Sequence, residues 1–303
     1  MNQYKHIANF IKNFIKTKIT KRPAKPCPKA LQAWHEPSKL IGNSLTPRIT
    51  WIGQATFLIQ VGDLNILTDP VFTSPSIFIK RLTPPGIAIN NLPKIDVILI
   101  SHNHPDHMNK KSLLELKKHQ PTLLIPKNTS TKFLRKSFEK IIENKWEDKQ
   151  TLTSKTNQEI SLTFLPAEHW TGTNIFNINK SLHGSWMIEH NNNSIYFAGD
   201  SSYTNHFKEI GKKFDKIDTA LLPISPTDPG HHGHMSSKEV VQAFLDLDAK
   251  QFIPMHWGTF QIGSENFEDP ITHLKANWGL QQKNLQSKKL TLLKFGQSTS
   301  CEL

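Results

Sequence analysis

The run Ser101-His102-Asn103-His104-Pro105-Asp106-His107 constrains this chain more than any other segment. It follows directly on the apolar stretch Ile95 to Ser101, which reads as a strand buried on both faces. In an extended or tightly turning backbone His102 and His104 project to one side and can ligate a single metal ion. Asp106 and His107 come where the chain turns toward a helix starting near Asn109, placed to serve a second metal a few ångströms away. A solvated His-rich turn is the alternative. Imidazoles buried together without a cation would be poorly satisfied, so the spacing favours a metal centre over packing.

Three later segments offer further ligands, each at the end of an expected strand. Ile160 to Leu165 runs into Pro166-Ala167-Glu168-His169-Trp170, Ser194 to Ala198 into Gly199-Asp200-Ser201, and Gln251 to Met255 into His256-Trp257-Gly258. Taken singly, His169 and His256 read as ordinary histidines and Asp200 as a turn residue. Together with the first cluster they form a ligand set held on a packed scaffold.

Around these segments the chain alternates strands and helices. Arg48 to Ile52, Thr56 to Val61 and Asn65 to Thr68 form an expected meander with turns at Gly53 and Gly62-Asp63. Leu123 to Ile125, Ser185 to Glu189, Thr219 to Ile224 and Lys289 to Lys294 are further strands. Helices are expected over Lys110 to Lys118, Thr131 to Glu139, Asn205 to Lys212 and Ser236 to Leu247, the last opened by a capping box of Ser236 and Glu239. Two groups of strands with helices between them predict an α/β chain of two sheets packed face to face, with helices outside.

Composition enters through charge. Lys+Arg number 37 and Asp+Glu 25, a formal net charge of +12, which first suggests nucleic acid or an anionic membrane as partner. Eight of the basic residues, Lys5, Lys12, Lys16, Lys18, Lys21, Arg22, Lys25 and Lys29, precede the first acidic one, Glu36, and the remainder of the chain is only mildly basic. In the same segment Ile7, Phe10, Ile11, Phe14, Ile15 and Ile19 make an amphipathic stripe, ended by Pro23, Pro26 and Pro28. It reads as a helix lying in a membrane interface, or as one packed on protein. The expected organisation is therefore a basic amphipathic segment over 1–30, a linker over 31–47 and a catalytic domain over 48–303. Apolar runs of four or five residues fall far short of the roughly 20 that cross a bilayer. Two distant cysteines, Cys27 and Cys301, suit a reducing compartment. A cytoplasmic protein, peripheral at the inner face of a membrane, is expected.

The order His102-x-His104-x-Asp106-His107, His169, Asp200, His256 resembles that of the metallo-β-lactamase superfamily, whose fold is an αββα sandwich with the metal site at the sheet edges. The resemblance is closer to the N-acylphosphatidylethanolamine-hydrolysing phospholipase D branch and runs over about residues 48–296. It rests on Leu67-Thr68-Asp69-Pro70, Ile100-Ser101-His102-Asn103-His104, Pro166-Ala167-Glu168-His169-Trp170, Gly184-Ser185-Trp186, Phe197-Ala198-Gly199-Asp200 and His256-Trp257-Gly258-Thr259-Phe260. It implies that His102, His104 and His169 bind one Zn2+, that Asp106, His107 and His256 bind another, and that Asp200 bridges them. Asp69 would orient a ligand histidine, or merely start the turn before Pro70. His234 matches a family histidine near the scissile phosphate; it can also be a surface loop residue beside His231 and His232. Two departures lie near the site: Gly53-Gln54 where relatives usually have Gly-His, and Ser201-Ser202-Tyr203 where the branch usually has Thr-Gly-Tyr. The His-rich loop Gly230 to His234 likewise bears on substrate choice.

The expected function is a di-zinc phosphodiesterase of phospholipase D type, cleaving N-acylphosphatidylethanolamine to an N-acylethanolamine and phosphatidate. Asp106 and His234 are its candidate catalytic residues. His/Asp ligation also accommodates other divalent metals. Phe72 to Pro93 reads as a lid whose apolar residues meet acyl chains while Lys80 and Arg81 meet phosphate, or as a surface loop. The alternatives are a lactonase or other ester hydrolase resembling the L-ascorbate-6-phosphate lactonases, and a nucleic-acid-binding or processing protein. The last is disfavoured because the basic excess sits in the tail and no RNA-binding module is evident. A phospholipid substrate, membrane contact through residues 1–30 and a homodimer are the expected partners. No Gly-x-Ser-x-Gly elbow, P-loop or dinucleotide fingerprint is present.

Overall fold

The computed structural model describes residues 26–38, 47–129, 131–154, 156–172, 177–226 and 233–301. The first sheet is laid down in chain order by β1 (Arg48–Gly53), β2 (Thr56–Val61), β3 (Leu64–Thr68), β4 (Val97–Leu99), β5 (Thr122–Pro126) and β6 (Ile141–Asn144). The second holds β7 (Lys149–Thr153), β8 (Glu159–Leu165), β9 (Ser185–His190), β10 (Asn193–Phe197), β11 (Thr219–Pro223), β12 (Gln251–Met255) and β13 (Lys289–Leu290). A last strand, β14 (Ser298–Ser300), returns to the first sheet beside β1. Both sheets are mixed: β3 to β6 and β10 to β13 run parallel, the rest antiparallel.

Alternation of side chains explains why the sheets stack. Phe57 and Ile59 of β2, Val97 and Leu99 of β4 and Leu124 of β5 belong to the large core, which also takes Leu162, Phe164, Trp186 and Ile188 of the second sheet. Their neighbours Leu58, Ile98, Leu123 and Ile125 point the other way and pack with Leu113, Leu116 and Leu134. Those last three come from α2 (Lys110–Leu116) and α3 (Lys132–Ser137), which cover the outside of the first sheet. Strand β4 is apolar throughout because it is buried on both faces. On the far side α4 (His206–Lys213), α5 (Ser237–Asp246) and α6 (Asp269–Leu280) complete the αββα sandwich; the capping box of Ser236 and Glu239 is formed.

Several expectations are revised. Strand β4 is shorter than Ile95 to Ser101, and β13 keeps two residues of Lys289 to Lys294. Helix α6 was hidden by Pro270, which sits in its first turn, where a missing N–H costs nothing. Strands β6, β7 and β14 carry too many polar residues to read as strands. The expected boundary at residue 30 falls inside a helix, and the described part of the linker, 31–38, is docked on the domain. Pro28–Ala33 is a short helix, α1, and Trp34 packs edge-on against Trp257 with ring centroids 4.8 Å apart while its Nε1 donates to Glu268. Backbone bonds from Glu36 to Phe295 and from Ser38 to Gly86 continue the attachment. The amphipathic stripe Ile7 to Ile19 lies outside the described residues.

Candidate metal centre

Every predicted ligand lies just past the C-terminal end of a strand, at one edge of the sandwich. Asp69 follows β3, the cluster His102 to His107 follows β4, His169 follows β8, Asp200 follows β10 and His256 follows β12. His102, His104, His107, His169, Asp200 and His256 are all buried, and Asp106 keeps a partly exposed carboxylate.

Outer partners fix which ring nitrogen faces inward. His107 Nδ1 lies 2.7 Å from Asp69 Oδ2, His169 Nδ1 2.7 Å from the Gly233 carbonyl and His256 Nδ1 2.8 Å from the Ser225 carbonyl. Each neighbour can only accept, so each Nδ1 carries the proton and Nε2 presents a lone pair. His102 follows the same logic through Ser101, whose hydroxyl donates to Asp69 Oδ2 at 2.5 Å and accepts from His102 Nδ1 at 2.9 Å. Ser101 N–H donates to Asp69 Oδ1 at 2.7 Å, so Asp69 orients two ligand histidines and the strand end between them.

The freed atoms converge. His102 Nε2 is 2.8 Å from His104 Nδ1, which is 3.3 Å from His169 Nε2, and His107 Nε2 is 3.1 Å from His256 Nε2. Asp200 stands between the two groups. Its Oδ2 is 3.1 Å from His107 Nε2, 3.8 Å from His169 Nε2 and 4.0 Å from His102 Nε2, while its Oδ1 is 3.2 Å from His256 Nε2. Asp106 Oδ2 lies 3.4 Å from His256 Nε2 and 3.7 Å from His107 Nε2. Two main donor sets result, His102, His104, His169 and Asp200 in one and Asp106, His107 and His256 in the other, and two groups overlap them, Asp200 with His234 and His256, and Asp69 with His102 and His107. Lone pairs this close repel unless a cation lies among them, and Asp200 Oδ1 is a buried acceptor with no hydrogen-bond donor. The residues fit a pair of divalent metals.

Electrostatics agree. Burial pushes His102 and His104 well below the ordinary imidazole value, and His169 to about 4. Burial also opposes charge on His107 and His256. There Asp200, joined by Asp106, overrides it, raising His107 well above its usual value and His256 to about 9. Burial disfavours the Asp200 carboxylate too, yet His107, His256 and His234 hold it well below the usual carboxylate range. The carboxylates thus demand positive charge at the His107 and His256 end, where protons and metal compete for the same nitrogens.

His234 Nδ1 lies 3.9 Å from Asp200 Oδ2, with its ring 5.2 Å from that of His169 and 5.5 Å from that of His256. It borders the donor sets and is less buried than the other imidazoles there. Its neighbours His231 and His232 lie outside the described residues. Trp170 forms a wall, its ring 4.0 Å from His104. The two phosphate-contact candidates behave differently. Lys80 is exposed, but Arg81 turns inward: Nε donates to the Thr83 carbonyl at 2.7 Å, Nη1 to Val71 at 2.8 Å, and the guanidinium sits 5.5 Å from the Phe260 ring. Burial lowers its pKa to about 10, which leaves it cationic at neutral pH. Arg81 thus braces the segment through Nε and Nη1, while its Nη2 has no hydrogen-bond partner among the described residues.

Sequence reasoning missed the supports. Ser101 was legible as the residue before the first ligand, but the Gly233 and Ser225 carbonyls carry no side-chain signal. Gln54, Asp69 and His256 have φ of 53°, 31° and 63°, left-handed values uncommon for such residues and here collected at one site.

An αββα sandwich with His and Asp donors gathered on one edge defines a metal-dependent hydrolase of the metallo-β-lactamase type. The chain belongs to the beta-lactamase superfamily, whose domain matches residues 64–257. It is 36% identical over 244 residues to the mitochondrial N-acyl-phosphatidylethanolamine-hydrolyzing phospholipase D of Saccharomyces cerevisiae, covering 76% of this chain and 52% of that one. The chain thus spans about half the length of that relative. It is 27% identical to N-acyl-phosphatidylethanolamine-hydrolyzing phospholipase D 1 of Caenorhabditis elegans over 75% of this chain and 68% of the other. An uncharacterized Mycobacterium tuberculosis protein is 30% identical over 84% of this chain and 69% of its own. Among solved structures, Igni18, a metallo hydrolase of Ignicoccus hospitalis, superposes with TM-score 0.65 at 18% identity, covering 85% of this chain and 99% of that one. CmlA, a diiron β-hydroxylase of Streptomyces venezuelae, reaches 0.63 at 16% identity over 87% of this chain and 55% of its own. The fold alone therefore does not choose metal or reaction. None of the described helices is long and apolar enough to cross a membrane.

Proposed function

We propose that the protein is a zinc phosphodiesterase of phospholipase D type that cleaves an N-acylated phosphatidylethanolamine to N-acylethanolamine and phosphatidate. The observation that carries the reaction class is the pair of donor sets with Asp200 standing between them, and four histidines locked by outer acceptors so that Nε2 faces inward. The yeast and nematode relatives support the substrate class.

His102, His104, His169 and Asp200 would hold one metal, and Asp106, His107, His256 and Asp200 the other. When bound, such a pair supplies a nucleophile from water at neutral pH and draws charge from a phosphoryl oxygen. Asp69, Ser101 and the Gly233 and Ser225 carbonyls keep the imidazoles aimed and in one tautomer. His234, the less buried imidazole beside Asp200, faces the phosphodiester and moves a proton at the leaving oxygen. Trp170 shields His104 from water.

Metal content per chain, measured together with hydrolysis of N-acylphosphatidylethanolamine, simple phosphodiesters and lactones, tests this. Two bound zinc ions and release of N-acylethanolamine are expected. Lactone hydrolysis without phosphodiester hydrolysis, or full activity in metal-stripped protein, overturns it.

A further inference from the structure

The segment between β3 and β4 carries two of the few bulky apolar side chains exposed among the described residues. Ile77 is 80% and Phe78 75% exposed, and Lys80 beside them is exposed as well. A lid would tuck such residues over the site; these stand out into solvent. They do so on a fixed mount. On the first leg, Phe72 N–H donates to Ser112 Oγ at 2.8 Å and Thr73 Oγ1 to Asn109 Oδ1 at 3.1 Å. On the second, Leu82 N–H donates to the Thr259 carbonyl at 2.8 Å and Thr83 Oγ1 to the Gly258 carbonyl at 3.0 Å, while Arg81 bridges to Phe260. Asn109 lies just past the ligand His107, and Gly258 just past the ligand His256. The arch therefore stands with one foot on each of two ligand-bearing segments.

Its crown is ordered from within. Ser76 Oγ accepts the N–H groups of Phe78 and Ile79 at 3.2 and 3.1 Å, and Ser74 Oγ accepts that of Arg81 at 3.0 Å. The half-buried Arg81 guanidinium then ties Val71 to Thr83 across the base. Among the described residues nothing covers Ile77 and Phe78, and no core contact requires them to be apolar.

We propose that this arch is a membrane-docking prong, with Ile77 and Phe78 entering the acyl boundary of an anionic phospholipid bilayer and Lys80 lying among the headgroups. A convex tip of two bulky side chains offers far less than the roughly 800 Å² per partner of a stable protein interface. It suits a fluid lipid surface, which closes around a small projection. The charge fits as well, since an exposed lysine adjoins the tip and the chain beyond its basic N-terminal segment is still mildly basic. The inference rests on the phospholipase reading only for its purpose: a prong fixed to the frame of the site holds that site at a set distance from the bilayer that contains the substrate.

The test uses the full metal-loaded chain and sucrose-loaded vesicles of phosphatidylcholine with a third phosphatidylglycerol. The double variant Ile77→Ser/Phe78→Ser is expected to partition about tenfold less than wild type. Leu280→Ser, which removes an 83% exposed leucine at the end of α6, is the control and should partition as wild type. A local readout guards against binding by the basic N-terminal segment. In Phe78→Trp, the added indole emission, with the wild-type spectrum subtracted, should be quenched by vesicles with brominated acyl chains. Absent quenching, or equal partition of double variant and wild type with no quenching, overturns the prong. So does a shift of a concentration-dependent dimer to monomer in the double variant with no change on vesicles, which would mark the tip as a self-association surface. Hydrolysis separates this from the functional reading. The double variant should keep the wild-type rate on N-acylphosphatidylethanolamine in detergent micelles and lose it on vesicles. If wild type cleaves neither form, the substrate reading fails while partition and quenching still decide the prong.

Discussion

Gln54 reaches Asp106 directly: its side-chain Nε2 donates to Asp106 Oδ2 over 2.9 Å, from a buried residue at the turn between β1 and β2. The amide is itself held, since Gln54 N–H donates to Thr259 Oγ1 at 2.6 Å and its carbonyl accepts the His256 N–H at 3.1 Å. Gln54 thus couples two ligands of the second donor set, Asp106 and His256.

Removing that donor should loosen the second metal. Gln54→Met keeps the length and loses the hydrogen bond, and a fall of roughly 10–100-fold in affinity for one metal equivalent is expected. Gln54→Glu places a carboxylate against Asp106 and should alter binding differently. Competition against a chromophoric chelator measures both; unchanged affinity in Gln54→Met refutes the role.

Asp69→Asn tests the hub behind the ligands. Asp69 accepts from Ser101 N–H, Ser101 Oγ and His107 Nδ1, and an amide has one acceptor oxygen in place of two. The variant should lose metal from the His107 side first and unfold about 1–3 kcal/mol more easily, from the polar group left without a partner. Metal content per chain and urea unfolding report the two effects separately.

Gly199→Ala should disturb the same hub from the opposite sheet. Gly199 has φ +61°, and a Cβ there would lie 2.5 Å from Ser101 Cβ. The left-handed backbone alone costs about 1–2 kcal/mol for alanine. A lower Tm with reduced metal content is expected, and native metal content would show that Ser101 can move aside.

Acid should weaken the fold through His206 in particular. Burial, with His183 nearby, lowers its pKa from 6.5 to about 4, so in that interval the unfolded chain binds more protons than the folded one. Stability is then full above pH 6.5 and declines as pH falls toward 4, by about 1.4 kcal/mol per pH unit at the steepest. His206→Gln should remove that part of the slope, measured as the difference between the two proteins' unfolding free energies across the interval.

The ligands were legible because their chemistry is local. His102 to His107 crowd four ligand-type side chains behind one apolar strand, and His169, Asp200 and His256 each close a strand of their own. What escaped is set by tertiary packing. The Ser225 carbonyl aims His256 across 31 residues, and the backbone of residue 233 aims His169 across 64, with nothing in either side chain to announce it. Arg81 was legible as a charge, but its bonds to the Val71 and Thr83 carbonyls and its place over Phe260 come from packing. Polar edge strands such as β7 and β14 exist because a neighbour supplies their hydrogen bonds, which a pattern of hydrophobicity does not record.

The donors divide between the sheets: His102 to His107 come from the first, and His169, Asp200 and His256 from the second. Neither of the two main sets, which draw on His102 to His107, is complete within one half of the chain. A bound metal would therefore act as a rivet across the seam of the sandwich, and its loss would free the two layers to part first at that edge.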